Sequence, residues 1–148
     1  MTDQKNISFR IKNISTLQFS IKNIPELDVV DKSLIHFQIN PASFADKDND
    51  VIGIDTLVDV YLDQENQIKV CELITRITYE VVNFSEFIDP SDNSINIPDQ
   101  IMHTFLSISL STTRGILAAK TEGTQLRDVF IPILNPTGFK PVEVNKTT

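Results

Sequence analysis

The stretch IKVCELITRITYEVVNF, residues 68–84, decides the fold. Successive side chains of a strand point to opposite faces, so a strand with one wet face is apolar in one parity only. Here both parities are apolar: Cys71, Leu73, Ile77, Tyr79 and Val81 in one, Ile68, Val70, Ile74 and Val82 in the other. The β-branched and aromatic content marks a strand. Neither of its faces is expected to be fully wet.

Upstream the period-2 signal repeats. Ile7, Phe9 and Ile11 alternate, slip phase at Ile14 and resume with Leu17, Phe19 and Ile21, which reads as one long bulged strand that stops at Pro25. Ile35, Phe37 and Ile39 alternate as far as Pro41. A polar loop at residues 46–50 separates them from Val58, Val60 and Leu62, and a tight turn at residues 64–67 leads into the decisive stretch. Strands therefore occupy residues 7–84.

Downstream the period lengthens. Ile101, Phe105, Ile108, Thr112, Ile116 and Ala119 follow at three- and four-residue steps beside Leu106, Leu110 and Leu117, predicting one amphipathic helix over residues 98–122. At 1.5 Å per residue it would be roughly 37 Å long. Pro98 suits its first position, Asp99 its positive end, and Lys120 and Gly123 its C-terminus. Its middle is rich in Ser and Thr, with Gly115, Ala118 and Ala119 small enough for a close neighbour. Residues 125–139 are apolar but interrupted by Pro132 and Pro136, which favours an extended crossing segment, followed by a flexible tail at 140–148.

Strands first and helix last predict a single α+β domain, a four-stranded antiparallel sheet with one long helix on one face and a short or absent final helix. One helix of ~10 Å diameter cannot cover both faces of four strands ~4.8 Å apart. The apolar face left over is expected to need a partner, either another copy of the chain or a client.

Composition narrows the function. With 148 residues, 41% hydrophobic and 22% charged, the chain falls in the globular range. No apolar run approaches the ~20 residues of a membrane helix, and the opening MTDQKNISFRIK has no apolar core for a signal peptide, so a cytoplasmic location is expected. Cys71 is the single cysteine, which excludes an intrachain disulfide; the N-x-[ST] matches at Asn6, Asn13, Asn83 and Asn145 then carry no weight. A net charge of −7 weighs against nucleic acid and against an anionic membrane.

Sites for chemistry are missing at every motif. His36 and His103 have no Cys, Asp or Glu at ligand or catalytic spacing. Cys71 sits in an apolar strand, where a structural thiol is the default. Asp46, Asp48 and Asp50 begin like a calcium loop, but Val51 stands where Gly is required and Leu57 where Glu is required. GILAAKT, residues 115–121, ends like a phosphate loop but has Ala119 in place of the second Gly and lies inside a helix. Four glycines leave no nucleotide cradle. A non-enzymatic binding protein without cofactor or metal is the expectation.

Three stretches resemble the SecB and SecB-like export chaperones. ISFRIKNISTLQFSI at residues 7–21 is similar to the family's first strand, and KVCEL at residues 69–73 to its third-strand core. In TTRGILAAKTEGTQLRDVFIPILNP, residues 112–136, the pattern is carried by Arg114 with Gly115, Gly123 with Thr124, Ile131 with Pro132, and Asn135 with Pro136. The resemblance implies a homotetramer, a dimer of dimers, that holds unfolded or precursor polypeptides in apolar grooves without ATP. By the same resemblance Ile35, Phe37, Ile39, Val129 and Ile131 would line the groove. Ile133 joins them by alternation. It further implies docking to the export motor SecA, with Val70 and Glu72 on the docking surface, although Gln18 stands where the family carries an acidic residue. Beyond Phe139 only KPVEVNKTT remains, too short for the family's final helix. Two alternatives stand beside general export: a dedicated chaperone of one partner such as an antitoxin, and a small-ligand or lipid carrier in which a helix grips a curved sheet.

Overall fold

The computed structural model describes residues 8–23, 31–62, 68–134 and 145–146. The features expected at Ile7, Pro25, residues 64–67, Asn135, Pro136 and Phe139 lie outside the described residues.

The architecture is α+β. Four long strands, β1 (Phe9–Ile21), β2 (Ile35–Asp46), β3 (Val51–Leu62) and β4 (Ile68–Val81), form an antiparallel sheet in the order β1-β4-β3-β2, and α1 (Asp99–Thr121) packs over β3 and β4. A two-residue strand, β5 (Asn145–Lys146), pairs in parallel with Phe44 and Ala45 of β2. Of the tail at 140–148, only these two residues are described. Pro98 lies just outside the helix, its carbonyl accepting the Met102 N–H. Gly123 adopts a left-handed φ of 76° beyond the helix end, a conformation that costs glycine little.

The bulged reading of β1 holds. Register against β4 shifts between Ile11 and Asn13 and again between Thr16 and Gln18, on either side of the phase slip at Ile14. A third shift lies in the decisive stretch itself: Val60 pairs with Cys71 but Tyr61 with Lys69, so Val70 is an extra residue. Val70 and Cys71 are consequently both in the core, 1% and 2% exposed. This corrects the placement of Val70 on an accessible docking surface.

Helix and sheet meet in two apolar clusters with a polar waist between them. One cluster holds Ile52, Ile54, Ile77, Tyr79, Phe84 and Phe105; the other holds Val58, Val60, Leu73, Leu117, Val129 and Ile131. At the waist Thr113 donates to the Ser109 carbonyl (2.6 Å), so its contact with Thr75 (2.8 Å) takes its proton from Thr75. Tyr79 donates to the Phe105 carbonyl (3.0 Å), which leaves Ser109 as donor to the Tyr79 oxygen (2.7 Å). Burial pushes the Tyr79 phenol up to about 12, opposed by the Ser109 bond. The Ser- and Thr-rich middle of the helix is thus partly explained from within, because its inner hydroxyls pack against Thr75 and Tyr79.

The sheet face away from the helix departs from expectation. Instead of an apolar surplus it carries ion pairs: Arg10 with Glu80 at 2.5 Å, Arg76 with Asp55 through two 2.8 Å bonds, and Lys69 with Asp59 at 3.3 Å and Glu72 at 2.9 Å. Arg76 also stands 4.8 Å from the ring centre of Phe44. The surplus apolar surface lies on the helix side, at the edge strand. Ile11, Ile14 and Ile21 pair with Tyr79, Ile77 and Cys71 and so face α1, yet they remain 44%, 46% and 36% exposed. The helix is centred over β3 and β4, and β1 extends beyond its cover.

Candidate functional site

The site begins where the helix ends. Thr124 folds the chain back, its hydroxyl donating to the Thr121 carbonyl (2.7 Å) and accepting the Leu126 N–H (3.1 Å). The Val129 N–H then reaches the Leu126 carbonyl (3.1 Å), and Asp128 takes a left-handed φ of 65°. The chain leaves this turn as the crossing segment. Val129 and Ile131 are buried, whereas Phe130 between them is 55% exposed.

A segment containing Pro132 cannot make a full backbone ladder. Arg114 of α1 supplies the missing partners, donating through Nε to the Ile131 carbonyl (2.8 Å) and through Nη2 to the Pro132 carbonyl (2.9 Å). Two consecutive carbonyls are held by one rigid guanidinium fork.

On the other side stands β2. Ile35, Phe37 and Ile39 are half-buried and pack against the cluster that contains Val129 and Ile131, so five of the six residues assigned to client binding come together in space. Ile133 does not join them. It is 93% exposed, and Leu134 packs on the cluster in its place. Alternation failed there because the phase changes after Pro132. Between the two walls lies an open groove of about 290 Å³ lined by Ile35, Phe37, Asp128, Val129 and Phe130. Among the described residues no strand lies along the outer edge of β2 from residue 35 to 43, since β5 reaches only Phe44 and Ala45. The groove therefore adjoins backbone groups able to pair with an added strand.

The other singled-out residues are elsewhere. Glu72 is on the opposite face of the sheet, where its carboxylate accepts from Gln18 (2.5 Å) and Lys69 (2.9 Å). Gln18, the departure from the family pattern, thus contacts the acidic residue that remains. His36 pairs with Tyr61 in the β2–β3 register, and His103 is half-buried on α1. Asp46 closes its own turn by accepting from the Asp48 N–H (3.2 Å) and the Asn49 amide (2.7 Å). Three groove features escaped sequence reasoning: Phe130, Asp128 and the Arg114 clamp. Phe130 had a readable signal, since burying Val129 and Ile131 in an extended chain turns the residue between them outward.

Cys71 is buried, and desolvation, then the charges of Asp59 and Glu72, push its thiol up to about 11. Thiolate is the reactive form, so at pH 8 the native protein is expected to resist thiol-specific reagents until it unfolds. Labelling with Ellman's reagent checks this; rapid modification of the folded chain would show an accessible thiol.

The arrangement can hold apolar side chains and accept an extended backbone. Beneath α1 the space is filled by Phe105, Tyr79, Leu73 and Leu117, each at most 1% exposed, where a helix-grip carrier would keep a cavity.

No protein-family model matches the chain, and no curated protein matches it. Among solved structures it is similar to a SecB-like chaperone of Mycobacterium tuberculosis, in complex with a ChAD peptide from the HigA1 antitoxin. The match has a TM-score of 0.57 and 13% sequence identity, and covers 85% of this chain and 89% of that chain. At that identity the likeness establishes the fold, which is SecB-like.

Proposed function

We propose that this chain is a chaperone that holds non-native polypeptides without ATP, binding them in the groove between β2 and the crossing segment. One observation carries the reading: an apolar groove lined by Ile35, Phe37, Val129 and Phe130 lies beside a strand edge that, among the described residues, is unpaired over most of its length. Side chains of an extended client would enter the groove while its backbone pairs with β2. The SecB-like fold supports a polypeptide-binding role. Its occurrence in a chaperone bound to an antitoxin peptide favours, as a second reading, service to one dedicated partner over general export.

Assembly belongs to the same proposal. The faces of β1 are near-palindromic about Ser15: Phe9 and Ile21, Ile11 and Phe19, and Ile14 and Thr16 all face the helix side, while Arg10 and Ser20 face away. Two copies running antiparallel through Ser15 would keep each of these pairs on one side and extend the sheet. That supports a dimer as the unit of a homotetramer. Docking to the SecA motor would fall to the opposite face around Glu72, without Val70. A cytoplasmic setting suits the single unpaired cysteine.

The test is light scattering from an aggregating client, with and without an equimolar amount of protein. Suppression is expected; no suppression would reject the chaperone reading. Native mass spectrometry separates the alternatives, an empty tetramer supporting the chaperone and a monomer carrying a copurified ligand supporting the carrier.

A further inference from the structure

The walls of the groove are held by different means. On β2, Ile35, Phe37 and Ile39 are fixed by a continuous antiparallel register with β3. The crossing segment has no such ladder. Among the described residues its fastenings beyond Val129 are the burial of Ile131, the packing of Leu134 and the two bonds from Arg114. Ile131 and Leu134 share one apolar cluster with Ile35, Phe37 and Ile39, the row on β2 that an extended client would need. The chain's own segment and a client therefore compete for one surface.

We infer that Arg114 is a positioning residue of the binding site: its fork onto the Ile131 and Pro132 carbonyls latches the crossing segment across β2, and release of that latch lengthens the groove. The inference rests on the chaperone reading and adds its control. In the latched state only the open part of the groove, about 290 Å³, is available, enough for a few large side chains. When the segment lifts, Ile131 leaves the cluster against which Ile35, Phe37 and Ile39 pack, and more of that apolar row becomes available. Arg114 suits this role because its partners are neutral carbonyls rather than a buried carboxylate. The latch thus breaks without stranding a buried negative charge. Lysine, a single point donor on a flexible stem, could not span both carbonyls as the fork does.

Two measurements on the full chain test this. Opening is read without any client by introducing Ile131→Cys in a Cys71→Ala background and following its labelling by Ellman's reagent. Cys71 in the otherwise unchanged chain serves as the control for global unfolding. Adding Arg114→Ala should speed labelling at position 131 about tenfold or more, the factor that loss of two charge-assisted hydrogen bonds readily supplies, with Arg114→Lys in between. Labelling of Cys71 should change far less. Equal rates at position 131 with and without Arg114, or parallel acceleration at both positions, would overturn the latch.

The second measurement is binding of reduced, carboxymethylated lactalbumin, a permanently unfolded chain. Faster association and tighter binding by the Arg114→Ala protein support the inference. Faster opening with unchanged binding would overturn control of client access while leaving the chaperone reading intact. Binding by neither protein would overturn both.

Discussion

Replacing Phe105 by alanine is expected to cost about 3–5 kcal/mol, the largest stability effect of any single truncation in this fold. Phe105 is 0% exposed and stands at the centre of the cluster under the first half of α1. Its ring stacks on Tyr79 with centroids 4.3 Å apart and 12° between planes, and meets Phe9 edge-on at 4.8 Å and 89°. The residue therefore ties the helix to the central strand β4 and to the edge strand β1 at once. A domain of this size has only about 5–15 kcal/mol of net stability, so the loss would lower the melting temperature by roughly 10 °C or leave the chain unfolded. Thermal unfolding followed by circular dichroism gives the answer. A shift of only a degree or two would mean that the two halves of the core do not depend on this ring.

The largest effect on binding is expected from Phe37→Asp. Phe37 is half-buried on β2, lines the groove and packs on the cluster beneath without belonging to its buried centre. A carboxylate at this place can turn toward solvent, so the fold should survive. A client side chain entering the groove would have to desolvate that charge, with Asp128 already on the lip. Client binding should weaken by about tenfold or more, equivalent to 1.4 kcal/mol or above. Titration with carboxymethylated lactalbumin measures it, with circular dichroism as the control for folding. An unfolded variant would place Phe37 in the core; a folded variant with undiminished binding would move the site elsewhere.

Both expectations rest on elements whose legibility in the sequence differed. The long strands and the helix were readable because period-2 and three-to-four-residue spacings persist over a dozen residues or more, and the bulge in β1 announced itself as a phase slip at Ile14. The bulge at Val70 was hidden. Val70 stands between Lys69 and Cys71, and because apolar residues occupy both parities of this stretch, the change of face before the bulge leaves no break in the pattern. The waist was not marked in the sequence either, since Thr75, Ser109 and Thr113 resemble surface residues in a string of letters. They are buried because they satisfy one another or nearby carbonyls.

The same limits apply to the site. The row Ile35, Phe37 and Ile39 was readable because one strand carries it, and its approach to Val129 and Ile131 followed from the family resemblance alone. Ile133, added to the groove lining by alternation, lies outside that lining because the phase changes after Pro132. The contact of Arg114 with two carbonyls 17 and 18 residues away depends on the path of the crossing segment, which no periodicity records. Surplus apolar surface was expected on the face away from the helix. The helix-side row Ile11, Ile14 and Ile21 carries it, and the face away from the helix is tied by ion pairs.

Methyl-resolved NMR of the protein during titration with an unfolded client tests the central claim most directly. Resonances of Ile35, Ile39, Val129 and Ile131 should shift or broaden as client is added, while Ile54 and Ile77, buried in the other cluster, stay in place. A client that binds without moving the four groove residues would contradict the assignment of the groove as the binding site.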